Sequence, residues 1–227
     1  MSDWRTIGVL GGMGPAATAD FLTRLVVAAN AARDTDHPRV LVDSNPQIPD
    51  RNAAREGRGP SPGPALAAMA QGLVAQGADI LAMPCNAAHG WADDVRAATS
   101  ATFIDLITAA VAEAMKTNPR RIGLLAIGAT LDAGLYQRAL APHGVTVIEP
   151  DRTVFQPLVN AIKGGDTGPQ IRTAMATEAA RLVSEGADAI IAACTEVPLV
   201  LTAADVSVPF TDATAALVSA TLAAARR

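Results

Sequence analysis

Short apolar, β-branched runs alternate along the chain with longer alanine-rich stretches, the pattern of strands separated by helices and of a mostly parallel sheet. The predicted strands are Thr6–Leu10, Val40–Asp43, Ile80–Met83, Phe103–Asp105, Arg121–Ala126, Val145–Ile148, Ala189–Ala192 and Val208–Phe210. Four helices are clear between them: Ala16–Ala32, Pro64–Gln76, Asp105–Lys116 and Thr167–Glu185. The segment Gly57–Pro64 interrupts the rhythm with glycine and proline. With the preceding Asn45–Arg51 it predicts a loop of about twenty residues, either a binding loop or a solvated excursion.

The pattern repeats itself. Gly77-Ala78-Asp79-Ile80 leads into Cys85-Asn86, and Gly186-Ala187-Asp188-Ala189-Ile190 leads into Cys194-Thr195, with both pairs of landmarks 109 residues apart. Ile7-Gly8-Val9-Leu10 resembles Ile122-Gly123-Leu124-Leu125, and Phe103-Ile104-Asp105 resembles Phe210-Thr211-Asp212 before an alanine-rich helix. The expected architecture is α/β, with two pseudo-symmetric domains, each a mostly parallel sheet flanked by helices, and a site in the cleft between them. The first domain is expected over residues 1–99 with a returning segment 206–227, and the second over residues 100–205.

Half of the 227 residues are hydrophobic, enough for two cores, while aromatics make up only 3% and the net charge is −4. Few stacking platforms and no basic excess argue against nucleic acid as a partner. The start, Met1 to Thr6, passes straight into a short apolar run without the features of a secretory signal, and no apolar run has membrane-spanning length. A soluble, cytoplasmic protein with no membrane partner is expected, in a reducing compartment where its two cysteines persist as free thiols.

Those cysteines carry the candidate chemistry. Each follows an apolar strand and precedes a polar turn, at the carboxyl edge where parallel α/β sheets bind ligands. Helix-start amides or a nearby cation favour the thiolate and make it a usable base or nucleophile. Buried structural cysteines are the plainer alternative for either one; their matched places in a repeat favour function. Two thiols on opposite sides of one carbon suit removal of a proton from one face and its return to the other. His37, His89 and His143 are scattered, without metal-ligand spacing, so no metal is expected. Gly12-Met13-Gly14-Pro15-Ala16-Ala17 formally fits a dinucleotide fingerprint, but Pro15 removes an amide from the helix start. A carboxylate-binding or turn-forming role suits it better. Arg51, whose guanidinium offers a bidentate fork, and Lys163, before Gly164-Gly165, are the cations to place near a substrate.

Four motifs together, Ile7–Pro15, Asn45–Arg51, Met83–His89 and Ala193–Leu199, resemble the aspartate/glutamate racemase family, especially its aspartate racemase branch, in order and over nearly the whole chain. The resemblance implies a cofactor-independent racemase, an isomerase acting on a small acidic amino acid, with two α/β domains and a homodimeric assembly. It places the catalytic pair on Cys85 and Cys194 and the substrate-carboxylate cations on Arg51 and Lys163. It also assigns substrate contacts to Gly12, Met13, Asn45, Gln47, Asn86, Ala87, Thr130, Thr195 and Glu196. Two positions depart from the family's pattern. Ala87 stands where a threonine is common, and the threonine-rich turn at Ile127–Thr130 is reduced to Thr130. A hydrogen bond to a charged group is typically worth about 1.5–3 kcal/mol, so the missing hydroxyl bears on substrate choice.

The expected reaction is racemisation of aspartate, or next of glutamate, with one cysteine as thiolate base and the other as thiol acid. Two other readings stay open on the residues: a decarboxylase or isomerase of a dicarboxylate lacking an amino group, and a two-lobed small-molecule binding protein.

Overall fold

The computed structural model describes residues 4–227; Met1 to Asp3, part of the start read for a secretory signal, lie outside the described residues. The chain forms two compact units, one running to Leu106 and reclaiming Thr214–Arg227, the other spanning Ile107–Ala213.

In the first unit β1 (Ile7–Gly11) leads into α1 (Pro15–Ala29), β2 (Val40–Ser44), the short α2 (Arg51–Arg55), α3 (Gly63–Ala75), β3 (Ile80–Ala82), α4 (Ala92–Ala98) and β4 (Thr102–Ile104). The four strands form a parallel sheet in the order β2-β1-β3-β4. After α5 (Leu106–Ala114) the second unit repeats the plan with β5 (Arg121–Leu124), α6 (Gly128–Asp132), α7 (Leu135–Leu140), β6 (Thr146–Ile148), α8 (Arg152–Lys163), α9 (Pro169–Ser184), β7 (Ala189–Ala192) and β8 (Phe210–Asp212). Its sheet, also parallel, runs β6-β5-β7-β8, and α10 (Ala213–Ala225) closes the chain. The expected α/β class with two helix-flanked parallel sheets is what the chain forms.

Central strands of parallel sheets are buried on both faces and read as unbroken apolar runs. β1, β3 and β7 are buried at every residue, whereas the edge strand β2 is half-exposed or exposed throughout. The repeat extends to individual contacts. A Cβ on Gly8 would meet Leu81 and Ala78 at 2.8 Å and Leu73 at 3.3 Å; one on Gly123 would meet Ile190 at 2.5 Å and Leu182 at 3.0 Å. Leu73 and Leu182, like Leu81 and Ile190, are 109 residues apart, so a glycine in each central strand admits the corresponding helix. The two Gly-Ala-Asp triplets also act alike. Asp79 accepts the Thr6 amide at 2.7 Å and Asp188 the Arg121 amide at 3.0 Å, each clamping the start of one central strand to its neighbour.

Several expected boundaries shift. β4 pairs with β3 and β8 pairs with β7, so both strands belong to the unit they follow, and the chain divides after Leu106 and after Ala213. β8 lies at Phe210–Asp212 instead of 208–210, because the ladder begins with the Ile190 amide on the Pro209 carbonyl. The expected twenty-residue loop contains a helical turn: the Asp50 side chain caps α2 by accepting the Ala53 amide at 2.8 Å.

Candidate active site

In the first unit three strand ends converge. The register sets Gly11 beside Ser44 and Val9 beside Ala82, so the turns after β1, β2 and β3 leave one sheet edge as neighbours. Gly12 has φ of +91°, and a Cβ there would lie 2.4–2.5 Å from the Asn45 backbone. Only glycine meets both demands. Thr18 of α1 holds this turn: its hydroxyl accepts the Gly12 amide at 2.9 Å and donates to the Gly14 carbonyl at 3.1 Å. Gly12 is thereby buried against the Asn45 turn, with Met13 buried after it, and the Asn45 side-chain oxygen accepts the Gln47 amide at 3.0 Å. Gln47 itself is exposed. Arg51, half-buried at the first position of α2, directs one nitrogen to the carbonyls of Ile48 and Pro49 at 3.3 and 3.1 Å. That anchors the guanidinium on its own loop.

Cys85 follows β3 as a buried free thiol, with its amide on the Met83 carbonyl at 2.8 Å. Asn86 and Ala87 are buried beside it, and the chain turns through a short 3-10 helix, Ala87–Trp91. The turn is closed by a residue not foreseen as part of the site. His89 Nδ1 lies 2.8 Å from the Cys85 carbonyl, and its Nε2 accepts the Leu106 amide at 3.0 Å. An amide can only donate, so Nε2 carries the lone pair and Nδ1 carries the proton. Burial is the main force holding His89 below the ordinary histidine range; the Arg96 charge adds to it, and Asp105 with the Cys85 carbonyl opposes it.

In the second unit Cys194 follows β7 by the same logic, and its environment is more polar. The thiol donates to Glu196 Oε2 at 3.0 Å, and the Thr195 hydroxyl donates to the same oxygen at 3.3 Å. All three side chains are buried, and Glu196 Oε1 has no hydrogen-bond partner among the described residues. Burial, and then the Glu196 charge, push the Cys194 thiol well above its ordinary range, while Lys163 draws it back. Lys163, the exposed last residue of α8, is thus within electrostatic reach of the thiol. Thr130, in the first turn of α6 after β5, is buried with its hydroxyl unpartnered among the described residues.

The structure therefore gathers the expected residues in two sets. One comprises Gly12, Met13, Asn45, Cys85, Asn86 and Ala87 around the first sheet's carboxyl edge, with Arg51 on the adjoining loop. The other comprises Cys194, Thr195, Glu196 and Lys163, with Thr130 at the start of α6. Thr18 and His89 were missed as supports; a threonine four residues past Gly14 was the only signal for the first. Among the described residues no group of three His, Cys, Asp or Glu side chains is placed to hold a metal ion, and no helix is long and apolar enough to cross a membrane.

Comparison with known proteins bears on the family and the fold. The chain is 27% identical over 225 residues to the broad specificity amino-acid racemase RacX of Bacillus subtilis, covering 95% of this chain and 96% of that one. Among solved structures it is similar to the aspartate racemase of Picrophilus torridus, with a TM-score of 0.90 and 28% identity over 98% of this chain and 95% of that one. The fold also matches a glutamate racemase from Francisella tularensis, at a TM-score of 0.69 and 18% identity over 96% of this chain and 79% of that one. The family description Asp/Glu/hydantoin racemase matches residues 10–221, nearly the whole sequence, and the chain belongs to that family.

Proposed function

We propose that this amino-acid racemase uses Cys85 and Cys194 as a two-thiol acid/base pair on an acidic amino acid, aspartate first and glutamate next, without a cofactor. One thiolate takes the α-proton and becomes a thiol; the other thiol gives its proton to the opposite face of the carbanion and becomes a thiolate. The next turnover in reverse restores the starting state, so protons and charge balance over each passage. Negative charge develops toward the α-carboxylate, where the turn amides at Asn86 and Thr195 supply preorganised donors. Arg51 and Lys163 select the side-chain carboxylate, and Gly12, Met13, Asn45, Gln47, Ala87, Thr130 and Glu196 line the substrate. The reading keeps a reducing, cytoplasmic setting and a homodimeric assembly.

What carries this reading is the placement of a free buried thiol at the equivalent strand end of each repeat, Cys85 after β3 and Cys194 after β7. The family assignment favours racemisation over decarboxylation or isomerisation of a dicarboxylate. A broader substrate range is the second reading. It is supported by the Ala87 methyl in place of a family hydroxyl and by the similarity to a broad specificity racemase. Incubating a panel of L-amino acids with the enzyme in deuterated water and resolving the enantiomers separates the two. The acidic reading predicts α-deuterium and D-product chiefly with aspartate and glutamate. Equal turnover of neutral amino acids would replace it with the broader one, and no exchange with any of them would overturn both.

A further inference from the structure

We propose that His89 is a positioning residue for the Cys85 half of the acid/base pair, holding the Cys85–Asn86 peptide in place and polarising it through a neutral ring protonated at Nδ1. The inference rests on the reading of Cys85 as an acid/base group. Its geometry stands independently.

The Cys85 carbonyl and the Asn86 amide belong to one peptide unit. A donor on that carbonyl at 2.8 Å draws electron density toward the oxygen and makes the Asn86 N–H a stronger donor. Such cooperative strengthening amounts to about 10–30% per bond in the condensed phase. In the proposed mechanism the Asn86 amide is the donor that meets charge developing on the substrate carboxylate. The other ring nitrogen ties the same turn to the Leu106 amide at the start of α5, 17 residues on. That amide is one of the helix-start donors with no intrahelical partner. Leu106 is also the last residue before the chain passes into the second unit.

Phe103 packs beside the His89 ring in a tilted pair with centroids 5.5 Å apart, and the Arg96 guanidinium lies over Phe103 at 5.3 Å from its centroid. Arg96 and Asp105 are the charged groups acting on the ring, and they are paired with each other. The repeat supplies an internal control. The residue 109 positions after His89 is Pro198, which has no side-chain donor or acceptor, so the Cys194 turn lacks this strut.

Two readouts test the proposal. In the 15N-labelled protein, imidazole proton–nitrogen correlation spectra at pH 7 should show His89 neutral with its proton on Nδ1; an Nε2–H tautomer or a cationic ring at that pH overturns the proposal. Iodoacetamide labelling, followed for each cysteine by mass spectrometry, should then be compared in His89→Leu and His89→Gln. Glutamine keeps both a donor and an acceptor; leucine keeps neither. In His89→Leu the Cys85 rate should change by about fivefold or more while Cys194 stays within about twofold, and glutamine should restore Cys85 to within about twofold of the parent. An unchanged Cys85 rate, or parallel changes at both thiols, overturns the proposal. If the leucine variant does not fold, the parental tautomer and the glutamine variant decide. Turnover gives the link to function: His89→Leu should lower kcat with little change in KM. A parental enzyme that fails to racemise any amino acid removes the acid/base reading, whereas the tautomer and labelling results still stand on their own.

Discussion

The Cys194 thiol donates to Glu196 Oε2 across 3.0 Å, with both side chains buried. The position equivalent to Glu196 in the first repeat, 109 residues earlier, is Ala87. The two thiols therefore sit in unlike surroundings despite their matched backbones. Burial and the Glu196 charge both favour the protonated form of Cys194. In the free enzyme Cys194 is expected to rest as the acid. Glu196→Gln removes the charge and retains the shape, so thiolate becomes easier to form. Cys194 labelling by iodoacetamide at pH 8 should accelerate by about threefold or more, with Cys85 unchanged. A slower or unaltered Cys194 would show that the carboxylate does not control its proton.

His89 gives a stability prediction with a definite sign. Its folded-state pKa is depressed from 6.5, chiefly by burial, so between the folded and unfolded values the unfolded chain binds the extra proton. Stability from this residue is present above about pH 6.5 and is lost as pH falls through the folded value, with a limiting slope of about 1.4 kcal/mol per pH unit. Thermal unfolding should show the midpoint falling between pH 6.5 and 5.5, and His89→Gln should flatten that slope. An identical slope in the variant would contradict the assignment.

The Gly12 turn provides a packing test with its own control. Gly12→Ala must accommodate both a left-handed φ and a Cβ within 2.5 Å of the Asn45 backbone, whereas Gly57→Ala, at φ of +71°, meets nothing within 4 Å. Backbone strain of this kind costs about 1–3 kcal/mol. Urea unfolding should place the Gly12 variant toward or above the top of that range, with activity largely lost, and the Gly57 variant near its bottom with activity retained.

Arg51 tests substrate selection. One nitrogen is already committed to the Ile48 and Pro49 carbonyls. Lysine cannot both hold those carbonyls and present a second donor as a planar fork does. Arg51→Lys should lower kcat/KM for aspartate by about tenfold or more, corresponding to a lost charge-assisted bond, with a smaller effect on any neutral amino acid the enzyme turns over. Equal losses on both would place Arg51 in loop structure alone.

Much of this organisation is legible in the sequence, because buried parallel strands are short apolar runs and the Gly-Ala-Asp triplets recur at one spacing. The cysteines stand out for the same reason. α2 is not legible: five residues are too few for a helical period, and the Asp50 cap becomes meaningful only once the helix is seen. Val206 and Val208 draw β8 toward an earlier register, although pairing begins after Pro209. His89 lies within a recognisable motif, yet its role depends on the Leu106 amide, brought near by the fold and not by adjacency in the chain. Glu196 is visible beside Cys194, but its shared hydrogen bonds with Cys194 and Thr195 depend on rotamers that no spacing specifies.

The two-thiol mechanism is tested most directly by following α-deuterium uptake and enantiomer ratio for L-aspartate in deuterated water with Cys85→Ala and Cys194→Ala, each checked for native folding. Loss of racemisation in both single variants is the expected result. Parental racemisation rates in either folded variant would contradict the paired mechanism.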